Sequence, residues 1–354
     1  MNAGFHGAGA TDLAVGARQA RLQVMSPMPP EGVPDPEHFP AMNASFYAAR
    51  PQDYFGRRLQ NLMLVAGNLQ GLDDLFAKGV SFGTLSAVGP QVSDGVGADT
   101  AQERARQTQH FLIAESEVLC HHAGETLLRL YLAHAGAPPS PWLELSQTRS
   151  PDEFKKRVRR RFGPGSKASD PANLAEVART FYLTDVPERL VPPPAPEEWS
   201  RGLALIEGYL RYFAALFLEK AALYNAAKHG LALLPGDIAL EVGDGSVLSQ
   251  SGPAVQYLQL RKSDDGHRRW SRVIHWVQSD RQVVLTYTAA ILMADLWAAG
   301  RFRYVVSVRE DGFRVVLPRV SIDDLLRADE ARSIVVDEMA VGLPYLVSAA
   351  DSAG

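Results

Sequence analysis

Asn225, Lys228 and His229 fall within the segment Tyr224-Asn225-Ala226-Ala227-Lys228-His229-Gly230-Leu231. An imidazole titrates near neutrality, so His229 can act as a general base toward a ribose hydroxyl. On a helix Asn225 lies four residues before it on the same face, where an amide can orient the ring. The same residues also suit a helix end, with cations at the negative pole of the dipole and Gly230 taking the left-handed turn. A second line, Glu115, Val118, His122, Glu125 and Arg129, recurs at steps of three and four, with His121 beside it. Should the two helices meet, these groups share one groove. Catalytic roles then fall to His229, Asn225 and His122, and ligand-binding roles to Lys228, Glu115, Glu125 and Arg129. The alternative for Glu115, Glu117 and Glu125 is a solvated face.

The run Lys155-Lys156-Arg157-Val158-Arg159-Arg160-Arg161 is the feature able to grip phosphates, with Lys155, Lys156, Arg159 and Arg160 as ligand-binding candidates. Phe154, Val158 and Phe162 recur every four residues, so the stretch also reads as an amphipathic helix with a charged outer face. No helix pair carries the Glu-x-x-His set of a di-metal bundle, and Cys-x-x-Cys and His-Glu-x-x-His are absent from the sequence. No metal and no cofactor is therefore expected. Gly163-Pro164-Gly165-Ser166-Lys167 lacks the Gly-Lys-Ser/Thr order of a P-loop, and no Gly-x-Ser-x-Gly elbow occurs.

These residues need helices to position them. Residues 1 to 45 combine Gly, Ala and six prolines between Pro27 and Pro40 without a sustained apolar period, which predicts a disordered tail. Tyr54 to Gly79 has helical apolar spacing, and Gly83 to Gly97 reads as a loop. Asp99 to Ala135 predicts a strut roughly 50 Å long at 1.5 Å per residue. Ser150-Pro151-Asp152-Glu153 opens a short helix closing at Gly163, and Pro171 to Leu183 forms another. Pro196-Glu197-Glu198 opens a second long strut, apolar along Leu205 to Ala227 and closed at Gly230.

Beyond it the period changes to two. Ile238, Leu240 and Val242 alternate, Val255–Arg261 and Arg268–Val277 flank a Ser263-Asp264-Asp265-Gly266 turn, and Tyr304–Glu310 and Phe313–Leu317 flank Asp311-Gly312. Arg281 to Gly300 is apolar almost throughout. Asp295 would cost about 2.5 to 3.5 kcal/mol at a bilayer centre, which favours a buried core helix over a membrane span. The expected architecture is mainly α, a bundle with two long antiparallel helices and a C-terminal β-rich extension. It divides into a tail (1–45), the bundle (46–235), and strands and hairpins with one buried helix packed on the bundle (236–345).

Composition fits this picture. A chain of 354 residues with 46% hydrophobic and 21% charged residues has ample core, and a net charge of −4 excludes a wholly basic polyanion binder while allowing a local basic patch. A single cysteine, Cys120, and the lack of a charged-then-apolar leader predict a reducing, cytoplasmic setting.

The Tyr-Asn-x-x-Lys-His-Gly segment at 224–230 resembles that of uncharacterised bacterial proteins that look like members of the HEPN superfamily, helical bundles that include toxin and defence ribonucleases. The likeness covers roughly residues 100 to 230, and the tail and strands have no counterpart in it. It implies an RNA- or nucleotide-binding protein, with ribonuclease activity left open. HEPN-like ribonucleases carry an Arg, usually a polar residue, and then a His four to six residues beyond the Arg. Arg129 to His134 fits that spacing with Leu130 at the polar place, but Arg104 to His110, Arg261 to His267, and Arg268 and Arg269 to His275 fit it too. The alternative is a non-enzymatic scaffold whose apolar helix faces build a homodimer. Neither alternative involves a membrane.

Overall fold

The computed structural model describes residues 34–67, 80–82, 85–87, 101–147, 150–166, 170–190, 193–228, 233–242, 248–262, 268–305, 317–327 and 333–339. A 3-10 turn, Pro36–His38, capped by the Asp35 side chain on the Glu37 amide, leads into α1 (Phe39–Ala48). This helix begins inside the stretch expected to be a tail. Its local sequence has no apolar period, and a tertiary contact supplies what is missing. Tyr47 is buried, and its hydroxyl lies 2.7 Å from His134 Nε2.

Helix α2 (Pro51–Gly67) covers the first part of the expected Tyr54–Gly79 helix, and 68–79 lie outside the described residues. β1 (Val80–Phe82) and β2 (Leu85–Ala87) pair as an antiparallel hairpin that enters the stretch read as a loop. Next come α3 (Ala101–His134), α4 (Pro141–Gln147), α5 (Pro151–Phe162), α6 (Pro171–Phe181) and α7 (Pro196–Glu219). Proline occupies the first position of α5, α6 and α7, where its missing N–H costs nothing.

Helix α3 is the central strut. α2 runs antiparallel to it, since Arg58 pairs with Glu115 while Phe55, earlier in α2, packs against His122. α7 is also antiparallel. Phe213 fills the space where a Cβ on Gly124 would come within 2.5 Å of its ring, and Tyr131 further along α3 reaches Arg161, which holds Glu207 earlier in α7. Two long antiparallel helices in a mainly α bundle are thus present. A third, α9 (Ser279–Tyr304), runs parallel to α3, with Gln282 at Glu117 and Gly300 at His134.

The second strut is shorter than its apolar pattern predicts. It breaks at Lys220 (φ −101°, ψ 23°), and α8 (Ala221–Lys228) restarts in a new direction. The break buries Leu223 and Ala226 with Ile113 of α3 and with Leu233, Val255 and Val277 at the sheet. A straight helix could not cover both the bundle and the sheet.

The extension is an antiparallel sheet in the order β3 (Leu233–Val242), β4 (Leu248–Lys262), β5 (Arg268–Trp276) and β6 (Ser333–Met339). Gly252 sits in β4 at φ 141°, opposite Ile238, where a side chain would strain the backbone. The Asp311-Gly312 hairpin falls on 306–316, outside the described residues, and Tyr304 is the last residue of α9 rather than the start of a strand. A short helix, α10 (Ile322–Arg327), follows. The chain between β5 and β6 therefore returns α9 to the bundle core, where Leu285, Ala289, Leu292, Met293 and Leu296 are buried. Among the described residues α9 is the one helix long and apolar enough to cross a membrane, and half of its apolar window is buried inside the protein.

Arg161 does not belong to the solvated face of the basic helix. It forks onto the 1%-exposed Glu207 at 3.1 Å through both terminal nitrogens and onto Glu176 at 2.7 Å, while Arg211 reaches the same Glu207 at 2.9 Å. One charge network so clamps α5, α6 and α7, and its ions are compensated as burial demands.

Asp295 of α9 lies by Tyr182, and burial lifts its carboxyl from the ordinary range to about 7. The folded chain holds this proton more tightly than the unfolded chain, whose Asp titrates near 4, so this group's contribution to stability falls between about pH 4 and 7. Asp295→Asn is expected to melt close to wild type at pH 4 and a few degrees higher at pH 8, by calorimetry. An equal shift at both pH values would refute the assignment.

Candidate functional site

The line predicted along α3 is real, and two helices flank it. Arg58 of α2 pairs with Glu115 and donates to the Tyr54 hydroxyl at 3.2 Å, while the Tyr54 and Phe55 rings stand edge-on to His122 at 5.9 and 5.1 Å. One turn on, Glu125 accepts from Arg129 Nε at 2.8 Å, and Arg129 lies 4.1 Å above the Phe154 ring of α5. α8 brings Tyr224 against Glu125 and Lys228 within electrostatic reach of His122.

His122 is half-buried. Desolvation and then the Arg58 charge, with Lys228 adding to them, pull its imidazole below the ordinary value against the opposing Glu125 and Glu115. At neutral pH the ring is therefore uncharged and has a lone pair to offer.

The predicted residues divide accordingly. His122, Glu115, Glu125, Arg129 and Lys228 come together. Glu115 and Glu125 are half-buried rather than a solvated face. Asn225 and Lys228 are exposed on α8, and His229, with the expected Asn225–His229 pair, lies outside the described residues. Lys156, Arg159 and Arg160 are exposed on α5 and Lys155 is half-exposed, while Arg157 turns inward to the Leu132 carbonyl at 3.0 Å and to Glu144 at 3.6 Å.

The Arg129–His134 spacing does not make a ribonuclease pair. His134 is a core residue. Its Nδ1 donates to the Leu130 carbonyl at 2.6 Å, its Nε2 accepts from Tyr47, and burial drives it down to about 4. Of the other spacing matches, His110 is half-buried, His267 lies outside the described residues, and His275 belongs to a second cluster.

That cluster is not announced by the sequence pattern. Glu117, one residue of α3 read as a solvated acid, is 0% exposed. Its Oε1 lies 3.1 Å from His121 Nε2 and 3.8 Å from His275 Nε2 of β5, and its Oε2 accepts from Gln282 Nε2 of α9 at 2.7 Å. Desolvation works against the carboxylate, but the His121 bond together with His275 and Lys220 holds it well below the ordinary range. Lys220 is pulled down, chiefly by burial against the opposing Glu117 charge, and His275 is pushed down to about 4 by burial. Cys120 next door is fully buried and its thiol is driven far up, so it offers no thiolate at neutral pH. The Glu117-x-x-x-His121 spacing was the available signal, but the partners His275 and Gln282 lie more than 150 residues downstream.

Scans against protein-family models, curated proteins and solved structures return no match to this chain. Among the described residues no group of three His, Cys, Asp or Glu side chains is arranged to hold a metal ion. A groove of about 1010 Å³ also opens where α2, α3 and the start of α9 meet the sheet, lined by Leu62, Met63, Ile113, Ser116, Val277 and Arg281 among others. It is separate from the half-buried His122 constellation.

Glu117→Ala strips the charge partner from a buried cluster, and about 3–5 kcal/mol of stability is expected to go with it. His122→Ala, at a half-exposed site, is expected to cost about 1 kcal/mol or less. Urea unfolding of the two variants checks the ranking, and the reverse order would refute it.

Proposed function

We propose that this chain is a HEPN-like, RNA- or nucleotide-binding protein whose ligand lies along the α2/α3/α8 groove at His122. The observation that carries this reading is that the His122 line of α3 ends against the basic helix, where Arg129 lies 4.1 Å from the Phe154 ring. His122, Glu125 and Arg129 follow one another along two turns of α3, Arg58 of α2 joins them through Glu115, Arg129 lies over Phe154, and Lys155 begins the outward cations of α5. A backbone of phosphates can track such a strip without sequence preference. Arg58 and Arg129 are each matched by a carboxylate, so the cations on α5 and Lys228 supply the net attraction.

His122 is the side chain proposed as general base, the role the sequence gave to His229 with Asn225 orienting it. An uncharged imidazole within reach of bound RNA can draw a proton from a ribose hydroxyl. The resemblance at Tyr224–Gly230 supports the family, and Tyr224 and Lys228 do border the groove.

Binding of a labelled single-stranded RNA is expected to weaken steeply with salt. Lys156→Glu/Arg159→Glu/Arg160→Glu is expected to reduce affinity at least about tenfold, and the slope of log affinity against log salt should fall by about one for each phosphate the variant no longer neutralises. Absence of binding at 50 mM salt, or an unchanged triple variant, would overturn the proposal. If hydrolysis accompanies binding, His122→Ala abolishes it in a gel assay.

A second reading, a non-enzymatic scaffold, is favoured by one surface. Met63 and Leu64 of α2 and Val284, Tyr287 and Ile291 of α9 are exposed, and Met63 and Val284 both line the apolar groove. A homodimer through that face is expected to shift to monomer on Val284→Glu in sedimentation velocity, and a wild type monomeric at high concentration excludes it.

A further inference from the structure

Tyr54 stands out among the groups around His122 because it is held in place yet open. Its hydroxyl accepts from Arg58 Nη1 at 3.2 Å, the Arg58 guanidinium lies 5.6 Å from the ring centroid, and the rings of Phe55 and His122 meet it at interplanar angles of 83° and 70°. Arg58 is itself anchored by Glu115. These neighbours fix the plane of the ring, but the residue is 51% exposed. Phe55, the next residue, is buried in the core, so α2 cannot rotate to hide Tyr54.

We propose that Tyr54 is a stacking platform for a nucleobase, which makes the ligand of the His122 groove a base-bearing single strand rather than a generic polyanion. This rests on the RNA- or nucleotide-binding reading and deepens it. A flat aromatic ring of fixed orientation gains contact with any base at little entropic cost, because no rotamer has to be frozen. Arg58, whose guanidinium lies over the ring 5.6 Å from its centroid, adds cation–π character and a positive charge for the phosphate that follows. His122 is the neighbouring ring, 5.9 Å away, and the ribose of a base on Tyr54 is proposed to lie against it. The uncharged imidazole can then accept a hydrogen bond from the 2′-hydroxyl, the group that distinguishes RNA from DNA. Lys228, within electrostatic reach of His122, serves the next phosphate.

The pattern also explains why the groove carries acids. Glu115 and Glu125 do not face a phosphate alone. They anchor Arg58 and Arg129, whose planar cations flank Tyr54 and Phe154.

The test uses the full chain and two fluorescein-labelled probes of equal length and charge, a six-nucleotide oligoadenylate RNA and its abasic counterpart. Wild type is expected to bind the oligoadenylate about tenfold tighter than the abasic strand by fluorescence anisotropy. Tyr54→Ala is expected to erase that ratio, and Tyr54→Phe and Tyr54→Trp to keep it. Equal binding of both probes by wild type overturns the platform and leaves the RNA-binding reading standing. A Phe variant that behaves like Ala also overturns it, because the hydroxyl rather than the ring face would then matter. Failure of both probes to bind wild type overturns the RNA-binding reading and the platform with it. Tyr54→Ala removes an exposed side chain, so its melting temperature is expected to stay within a few degrees of wild type, which keeps the ratio interpretable.

Discussion

An ionised carboxylate with no exposed surface sits near the middle of the 34-residue helix α3, and much of the molecule is arranged to compensate it. A buried Glu without partners would be severely destabilising. Glu117 therefore draws one group from each element packed on that side: His121 from its own helix, Gln282 from α9, His275 from β5, and Lys220 from the joint of α7 and α8. The sheet is docked on the bundle at this point as well as through apolar contacts.

The joint at Lys220 also positions α8. By ending α7 there the chain lets α8 cross toward α3, and only then can Tyr224 reach Glu125 and Lys228 influence His122. The dry cluster and the wet groove thus share one helix. Successive residues turn by about 100°, so His121 goes into the cluster and His122 into the groove.

Much of the fold was legible in the sequence because its elements are long and periodic. The bounds of α3, α5 and α6 follow from apolar spacing, N-terminal prolines and terminal glycine. The elements missed are short or depend on distant contacts. α1 has no apolar period and is held by Tyr47 against His134, and the Lys220 break interrupts an unbroken apolar pattern. The candidate site was half legible. Steps of three and four put Glu115, His122, Glu125 and Arg129 on one line of α3, but nothing local announced that Arg58 and Tyr54 would lie against it.

The sequence by itself determined the mainly α character, the β-rich extension, the central strut, and the division of α5 into a buried apolar stripe and a basic outer face. Periodicity and charge are local properties, and they survive without knowledge of neighbours. Only tertiary structure decided which of two adjacent histidines meets water, which acid is buried, and which arginines of the basic run are spent inside the protein. Those outcomes depend on desolvation and on partners brought from far along the chain, which no local pattern encodes.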